Sequence, residues 1–480
     1  MLHRIGFCFD TKLIRKQKNQ FFNAKNHRNN LAFPIFVAKV NQILFMSPNL
    51  PITTQKRVVI IGAGFGGLAL AQALARNDDF QVVLIDKNNY HQFQPLFYQV
   101  ATAGLEPASI SFPLRLAFHD KSNVHVRVTE VNKIMPINKT IETEIGEITY
   151  DYLVISTGAD TNFFGQQNII DNAFPMKSVS EAIALRNRLL LNFENALIAD
   201  NEADRKGMLS VVVVGGGPTG VEVSGTLAEM KMCVLPKDFP ELDFQLMQVY
   251  IVESGAELLG PMSKASQEKS KEFLEKLGVN ILLNTRVTDF DGQFAYLNNG
   301  EKIRTNNLVW AAGIKANFIE GIVPQNELAR GNRLKVNAFN QVIGHENIFA
   351  LGDVAMMIEG EKYPYGHPQI AQPAIQQGQL LAKNLRALLR GNDMAAFKYK
   401  DLGSMATVGR NLAVVDLPFY QFQGFFAWLT WMAVHLFSLL GVKNKLLIFI
   451  NWVWNYITYD QSLRLIIKPK IPKDAELVED

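Results

Sequence analysis

Two stretches of this chain run four β-branched residues directly into a glycine-rich reversal, and each reversal opens a helix-forming segment. The first is Val58-Val59-Ile60-Ile61 followed by Gly62-Ala63-Gly64-Phe65-Gly66-Gly67. The second is Val211-Val212-Val213-Val214 followed by Gly215-Gly216-Gly217-Pro218-Thr219-Gly220. Continuous β-branched runs suit strands buried on both faces, and strands alternating with helices build parallel sheets. In the spacing G-x-G-x-x-G the first glycine permits the tight reversal, the second lets backbone approach a ligand, and the third lets helix pack closely on strand. One such turn is weak evidence. Two, about 150 residues apart, predict an α/β chain with two Rossmann-like units.

Free N–H groups at the positive end of a helix dipole form a seat for a diphosphate. In the first unit the three roles fall to Gly62, Gly64 and Gly67, and the next strand, Phe80 to Ile85, ends in Asp86. A carboxylate there can accept hydrogen bonds from both ribose hydroxyls. In the second unit Gly215, Gly217 and Gly220 take those roles, and Glu253 closes the strand Gln248 to Val252. This acid lies farther along because residues 230–244 carry an insertion with two prolines. Glu253 would repel a 2′-phosphate, so NADH is favoured over NADPH. Two dinucleotide seats in one chain point to a flavoenzyme.

Net charge is only +3, but the first 45 residues hold eight Lys/Arg against one acid, Asp10. No aromatic-basic module accompanies them, which argues against nucleic acid as a partner. Cys8 and Cys233 are the only cysteines and form no close pair. Disulfide frameworks, thiolate metal sites and electron relay through a cysteine pair are therefore unsupported; no metal is expected, and Cys233 reads as a small buried residue. The basic segment before Lys56 resembles a transit peptide in charge but has no Ser before Ser47. A disordered extension over 1–55, or a start at Met46, is the preferred reading.

Strand–helix alternation begins at Arg57. Strand Tyr150 to Ser156 ends in Thr157-Gly158, and Leu308 to Ala312 ends in Gly313, two exits where chain crosses back over a nucleotide. Helices are predicted over Leu68–Arg76, Glu181–Ala199 and Gln369–Leu389. The implied organisation is a first nucleotide-binding part over 56–165, a second nucleotide-binding domain with its connecting helix over 166–324, a return to the first over 325–396, and a C-terminal element over 397–480. That element has 26 residues without formal charge, Leu417 to Val442, and a second uncharged run, Leu446 to Tyr459. Trp428, Trp431, Trp452 and Trp454 fall there, with Lys443, Lys445, Arg464, Lys468 and Lys470 at the flanks. Aromatic rings beside Lys and Arg suit the headgroup boundary of a bilayer. A single span, a buried core helix and an in-plane anchor stay open on composition alone.

Taken with Leu351-Gly352-Asp353 and Ala371-Gln372-Pro373-Ala374-Ile375-Gln376-Gln377-Gly378, these motifs resemble those of the type II, non-proton-pumping NADH:quinone oxidoreductases, from about Lys56 to the C-terminus. The resemblance implies non-covalent FAD in the first domain, NADH in the second and a quinone channel opening toward the membrane. It implies that Gly62, Gly64, Phe65, Gly67, Asp86, Lys87, Thr157, Gly158, Gly352 and Asp353 hold FAD, with Asp353 on the ribityl chain. Gly215, Gly217, Pro218, Thr219, Gly220, Glu253, Ala312 and Gly313 would then hold NADH. Glu222 should lie near nicotinamide and flavin, either positioning the ring or handling a proton; burial there would raise its pKa. Gln372 and Gln376 are the implied quinone residues, four apart and so on one helix face. The partners expected are ubiquinone or menaquinone, a lipid surface and a second copy in a homodimer. The in-plane anchor becomes the favoured reading, at the cytoplasmic face of a bacterial inner membrane or at the mitochondrial inner membrane. An FAD-dependent pyridine-nucleotide oxidoreductase with another acceptor is the alternative.

Overall fold

The computed structural model describes residues 48–459 and 464–466, so the basic extension up to Ser47, with the transit-peptide and Met46 readings, lies outside the described residues, as do Lys468 and Lys470. The described residues from Leu50 onward form one compact unit.

Two five-stranded parallel sheets form the frame of that unit. The first runs, edge to edge, Ile348–Ala350, Tyr152–Ile155, Lys56–Ile61, Phe80–Asp86, Val124–Val128. The second runs Phe174–Pro175, Asn307–Trp310, Val211–Val214, Val249–Val252, Val279–Leu282. Val58 to Ile60 and Val211 to Val213 are fully buried, as the β-branched runs require. Each glycine-led strand lies in the middle of its sheet. Later strands are added on its other side, so strand order reverses beside it and leaves a crevice at the carboxyl ends. The first sheet is completed only by Ile348–Ala350, after the whole second sheet has been laid down.

Helix α1 (Phe65–Leu74) follows the first turn, and the short α2 (Phe97–Ala101) follows the second strand. Helix α3 (Val179–Leu197) starts two residues before the predicted position because Ser178 caps it. The Ser178 side chain accepts from the Glu181 N–H at 3.2 Å, and Glu181 accepts from the Ser178 N–H at 2.9 Å, a reciprocal capping box. Helix α4 (Pro218–Cys233) follows the second turn, and α5 (Ala371–Leu389) lies against α1.

The C-terminal element opens with an antiparallel sheet, Ser404–Gly409, Leu412–Asp416 and Gln421–Gln423, laid on α4. The contact is backbone on backbone: a Cβ on Gly225 would stand 1.6 Å from the Val408 carbonyl oxygen. Two helices follow, α6 (Phe425–Ser438) and α7 (Val442–Thr458). The uncharged 417–442 run is thus divided between strand and helix, with Gly424 (φ +81°) and Gly441 (φ +77°) marking the breaks. Fourteen residues of α6 rise about 21 Å, short of the ~30 Å hydrocarbon core. Among the described residues no helix is long and apolar enough to cross a membrane, which removes the single-span reading there.

The pair α6–α7 is apolar on two sides. Inward, Ala427, Trp431, Ile448 and Trp452 join the core. Outward, Phe426, Phe437 (76% exposed) and Val442 (84% exposed) face away from the protein. Trp431 and Trp452 therefore do not serve as boundary anchors, contrary to the expectation for all four tryptophans. Trp454, by contrast, lies exposed on the outer side.

Candidate functional site

The glycines in the two turns separate into those the protein itself requires and those it does not. A Cβ on Gly62 (φ +97°) would lie 2.3 Å from the Ser156 carbonyl oxygen, and one on Gly67 would lie 1.9 Å from that of Gly62. Gly64 has nothing within 4 Å of its missing Cβ. The second turn repeats the pattern. Gly215 (φ +108°) would meet Ala311 O at 2.7 Å and Gly220 would meet Gly215 O at 1.9 Å, whereas Gly217 is open to 4 Å. Gly64 and Gly217 are the N-caps of α1 and α4, and neither helix has a side-chain cap. Open space in front of uncapped N–H groups is the shape a diphosphate fits, and the chain has built it twice.

The acids also correspond. Asp86 accepts from the Ala63 N–H and the Asn88 N–H, both at 2.7 Å. Glu253 accepts from the Gly216 N–H and the Gly255 N–H, both at 2.6 Å. In each case one partner is the residue just after the first glycine, so the carboxylate is fixed at the mouth of the turn with lone pairs left for a sugar. Burial raises the Asp86 pKa, opposed by those two N–H groups. Lys87, Pro218 and Thr219 are exposed at the same mouths. Phe65 sets its ring edge against His91 (5.2 Å) and Phe93 (5.8 Å), which ties the start of α1 to the next segment.

At the two glycine exits, Gly158 (φ +69°) and Gly313 (φ +81°) take conformations that favour glycine. The Thr157 hydroxyl donates to Asn317 O at 2.6 Å, and half-buried Ala312 precedes the Gly313 exit. Gly352 (φ +71°) donates its N–H to Gln377 Oε1 at 2.8 Å, which pins the strand end to α5. Asp353 beside it has its pKa raised by burial, opposed by Lys177 and Arg333. The small residues of the α5 motif have a packing reason. A Cβ on Gly378 would stand 2.5 Å from Gly66 O, so α5 rests on the first turn.

Gln372 and Gln376 do share a face of α5, and that face holds chain. Gln372 donates to Gly403 O at 2.9 Å and accepts from the Tyr399 hydroxyl and the Leu402 N–H, both at 3.1 Å. Gln376 donates to Lys400 O at 2.8 Å and accepts from the Lys400 N–H at 3.1 Å. Both amides thus clip the 399–403 segment that leads into the C-terminal sheet.

Glu222 is buried in the second turn of α4. Its carboxyl accepts from the Thr407 N–H and the Trp431 indole, and burial outweighs both to push its pKa up to about 8. Thr407 and Trp431 also line a cavity of about 150 Å³ enclosed by α2, α4, the C-terminal sheet and the α6–α7 pair. Cys233 lines it too, half-buried on a cavity wall and not in the core as the sequence suggested. So does Glu229, two turns beyond Glu222, which no sequence motif singles out. Its only advance signal was the seven-residue spacing on α4, which an ordinary amphipathic helix shares.

Residues 56–378 match the pyridine nucleotide-disulphide oxidoreductase family, and residues 402–458 match the NDH2 C-terminal domain. The type II NADH:quinone oxidoreductase NdhA of Mycobacterium tuberculosis is 36% identical over 82% of this chain and 86% of its own length. Ndh from the same organism, of the same description, is 34% identical over 86% and 91%. The structure of NDH2 from Plasmodium falciparum in complex with NADH superimposes with a TM-score of 0.78, covering 86% of this chain and 100% of that one, at 23% identity, a likeness of fold. With a family model spanning most of the chain and relatives of this identity and coverage, the chain belongs to the type II NADH:quinone oxidoreductases.

Proposed function

We propose that this protein oxidises NADH and reduces a membrane quinone to quinol by two electrons, without pumping protons. The observation that carries this reading is the duplicated cradle, with Gly64 and Gly217 open before uncapped helix ends and Asp86 and Glu253 fixed at the two mouths. The first cradle would hold FAD through Gly62, Gly64, Asp86, Gly352 and Asp353. The second would hold NADH through Gly215, Gly217, Gly220 and Glu253. When bound, FAD supplies a hydride acceptor that can release two electrons to a second substrate. The chain contributes orientation: helix dipoles on the diphosphates, carboxylates on the riboses and a crevice that keeps bulk water away.

The exposed apolar side of α6–α7 supports a resting position in the plane of a lipid surface, where a lipid-soluble quinone is delivered. Gln372 and Gln376 act in this reading by holding the 399–403 segment beside α5, each amide keeping one N–H for an acceptor. Detergent-purified protein, assayed with NADH and with ubiquinone and menaquinone analogues in turn, should turn over with at least one. Oxidation of NADH by ferricyanide with neither quinone reduced would refute the acceptor assignment.

A further inference from the structure

Quinone reduction by NADH consumes a proton: NADH + H⁺ + quinone gives NAD⁺ + quinol. NADH yields two electrons and one proton's worth of hydrogen as hydride, while the quinone gains two electrons and two protons. One proton per turnover must therefore come from water and be delivered to the reacting quinone. Resting on the function proposed above, we propose that Glu229 is the relay carboxyl that takes this proton from solvent and passes it to Glu222, which delivers it to the quinone.

The cavity opens at Tyr456 and Tyr459, both partly exposed, and its inner wall is Tyr98, Thr407 and Trp431. Glu222 lies behind that wall, bonded to two of its members. Glu229 lies along the cavity on the same helix, two turns nearer the end of α4. Its Oε1 accepts from the Arg410 N–H at 2.5 Å, and Gly409 leaves room for it: a Cβ there would stand 2.7 Å from that oxygen. The walls are largely aromatic, but Gln99, Thr226 and Asn455 add polar groups among them, and the space has room for several waters that those groups and Glu229 can hold. A proton leaving Glu229 and arriving at Glu222 leaves one carboxylate and makes one acid; the next proton from solvent restores the first.

The charged and titratable neighbours come from each packed element. They are Arg410 from the C-terminal sheet, Tyr98 from α2, Glu222 and Cys233 from α4, and Tyr456 and Tyr459 from the end of α7. The Arg410 guanidinium is stacked on the two tyrosine rings, at 4.0 and 3.7 Å, which holds it at the mouth. Burial lifts Glu229 to about 7, against the Arg410 N–H and charge, so it exchanges a proton near neutrality. The Tyr98 hydroxyl, which accepts from Gln99 Nε2 at 2.8 Å, is pushed well up by burial and by both carboxyls, so it stays neutral.

Glu229→Gln separates relay from scaffold, because an amide oxygen still accepts the Arg410 N–H but carries no exchangeable acid. In the full-length, flavin-loaded protein, NADH oxidation by ferricyanide needs no proton uptake and reports on the NADH side. Quinone kcat should fall about tenfold or more, with KM for quinone and ferricyanide turnover little changed, and Glu229→Asp should recover part of the loss. Quinone kcat within twofold of the parent, a change confined to KM, or equal loss with ferricyanide would each overturn the relay. Should the Gln variant not retain flavin, the parent enzyme decides. Its ratio of quinone to ferricyanide turnover should fall as pH rises through about 7 to 8, and a ratio constant from about pH 6 to 9 would overturn it. Failure of the underlying function would show differently, as absent quinone turnover in the unmodified chain.

Discussion

The Glu253 carboxylate accepts the Gly216 N–H at 2.6 Å, so the acid that would meet a ribose is anchored to the same turn that would hold the diphosphate. Position and charge then act together: the carboxylate can accept a 2′-hydroxyl and repels a 2′-phosphate. Glu253→Ala should lower kcat/KM for NADH and raise the NADPH-to-NADH ratio by about tenfold, because it removes both the acceptor and the repulsion. Steady-state kinetics with the two nucleotides checks this; unchanged selectivity removes Glu253 from the role.

The join between α4 and the C-terminal sheet leaves no room for a methyl group. With 1.6 Å between a Gly225 Cβ and Val408 O, Gly225→Ala must push backbone from backbone, and no flexible side chain is there to yield. A loss of about 3 kcal/mol or more is expected, read as a lowered Tm. Gly300→Ala, at a site with space around it but φ +87°, should cost less, about 1 kcal/mol.

Glu222 makes stability depend on pH in a defined direction. Near pH 4 folded and unfolded chains both hold its proton, so it contributes no pH dependence. Between about 4.5 and 8 the folded chain keeps a proton that the unfolded chain releases, so stability falls as pH rises; above about 8 the effect levels off. The slope is on the order of 1 kcal/mol per pH unit inside that window. Glu222→Gln should therefore raise Tm relative to the parent at pH 8 and leave it nearly equal at pH 4. The same variant tests the chemistry, since quinone turnover should fall while ferricyanide turnover persists.

The outer side of α6–α7 gives a prediction about location. Replacing Phe426, Phe437 and Val442 by Gln leaves the inward residues Trp431 and Trp452 untouched. Vesicle affinity, read by co-sedimentation, should drop by at least about tenfold, since losing even one large apolar side chain fully transferred from water, roughly 1.5–3 kcal/mol, is worth that much. NADH:ferricyanide turnover should remain. Alkaline carbonate should release at least part of the parent protein, as it does for a molecule lying on a bilayer.

The parts legible in the sequence are those whose cause is local. Gly67 and Gly220 each meet the first glycine of their own turn, Gly62 and Gly215 take the positive φ of the reversal, and Asp86 and Glu253 close the following strands, so order and spacing suffice to find them. The cavity was hidden because its walls are far apart in sequence: Arg410 caps Glu229 across 181 residues. Likewise, composition marked the C-terminal tryptophans as a boundary set, but packing against α2 turned Trp431 and Trp452 inward. Trp452 donates its indole N–H to Gln99 Oε1 at 2.8 Å, a partner no local pattern announces. Gln372 and Gln376 show the converse case. Their spacing foretold a shared face, and only the fold shows that the face grips residues 400–403.

Whether two nucleotide sites exchange electrons with a quinone can be watched directly in one anaerobic cuvette. The purified protein should carry a yellow flavin band that bleaches on adding stoichiometric NADH and returns on adding a soluble quinone. A colourless preparation that refuses reconstitution with FAD, or a flavin band that NADH leaves unbleached, would contradict it.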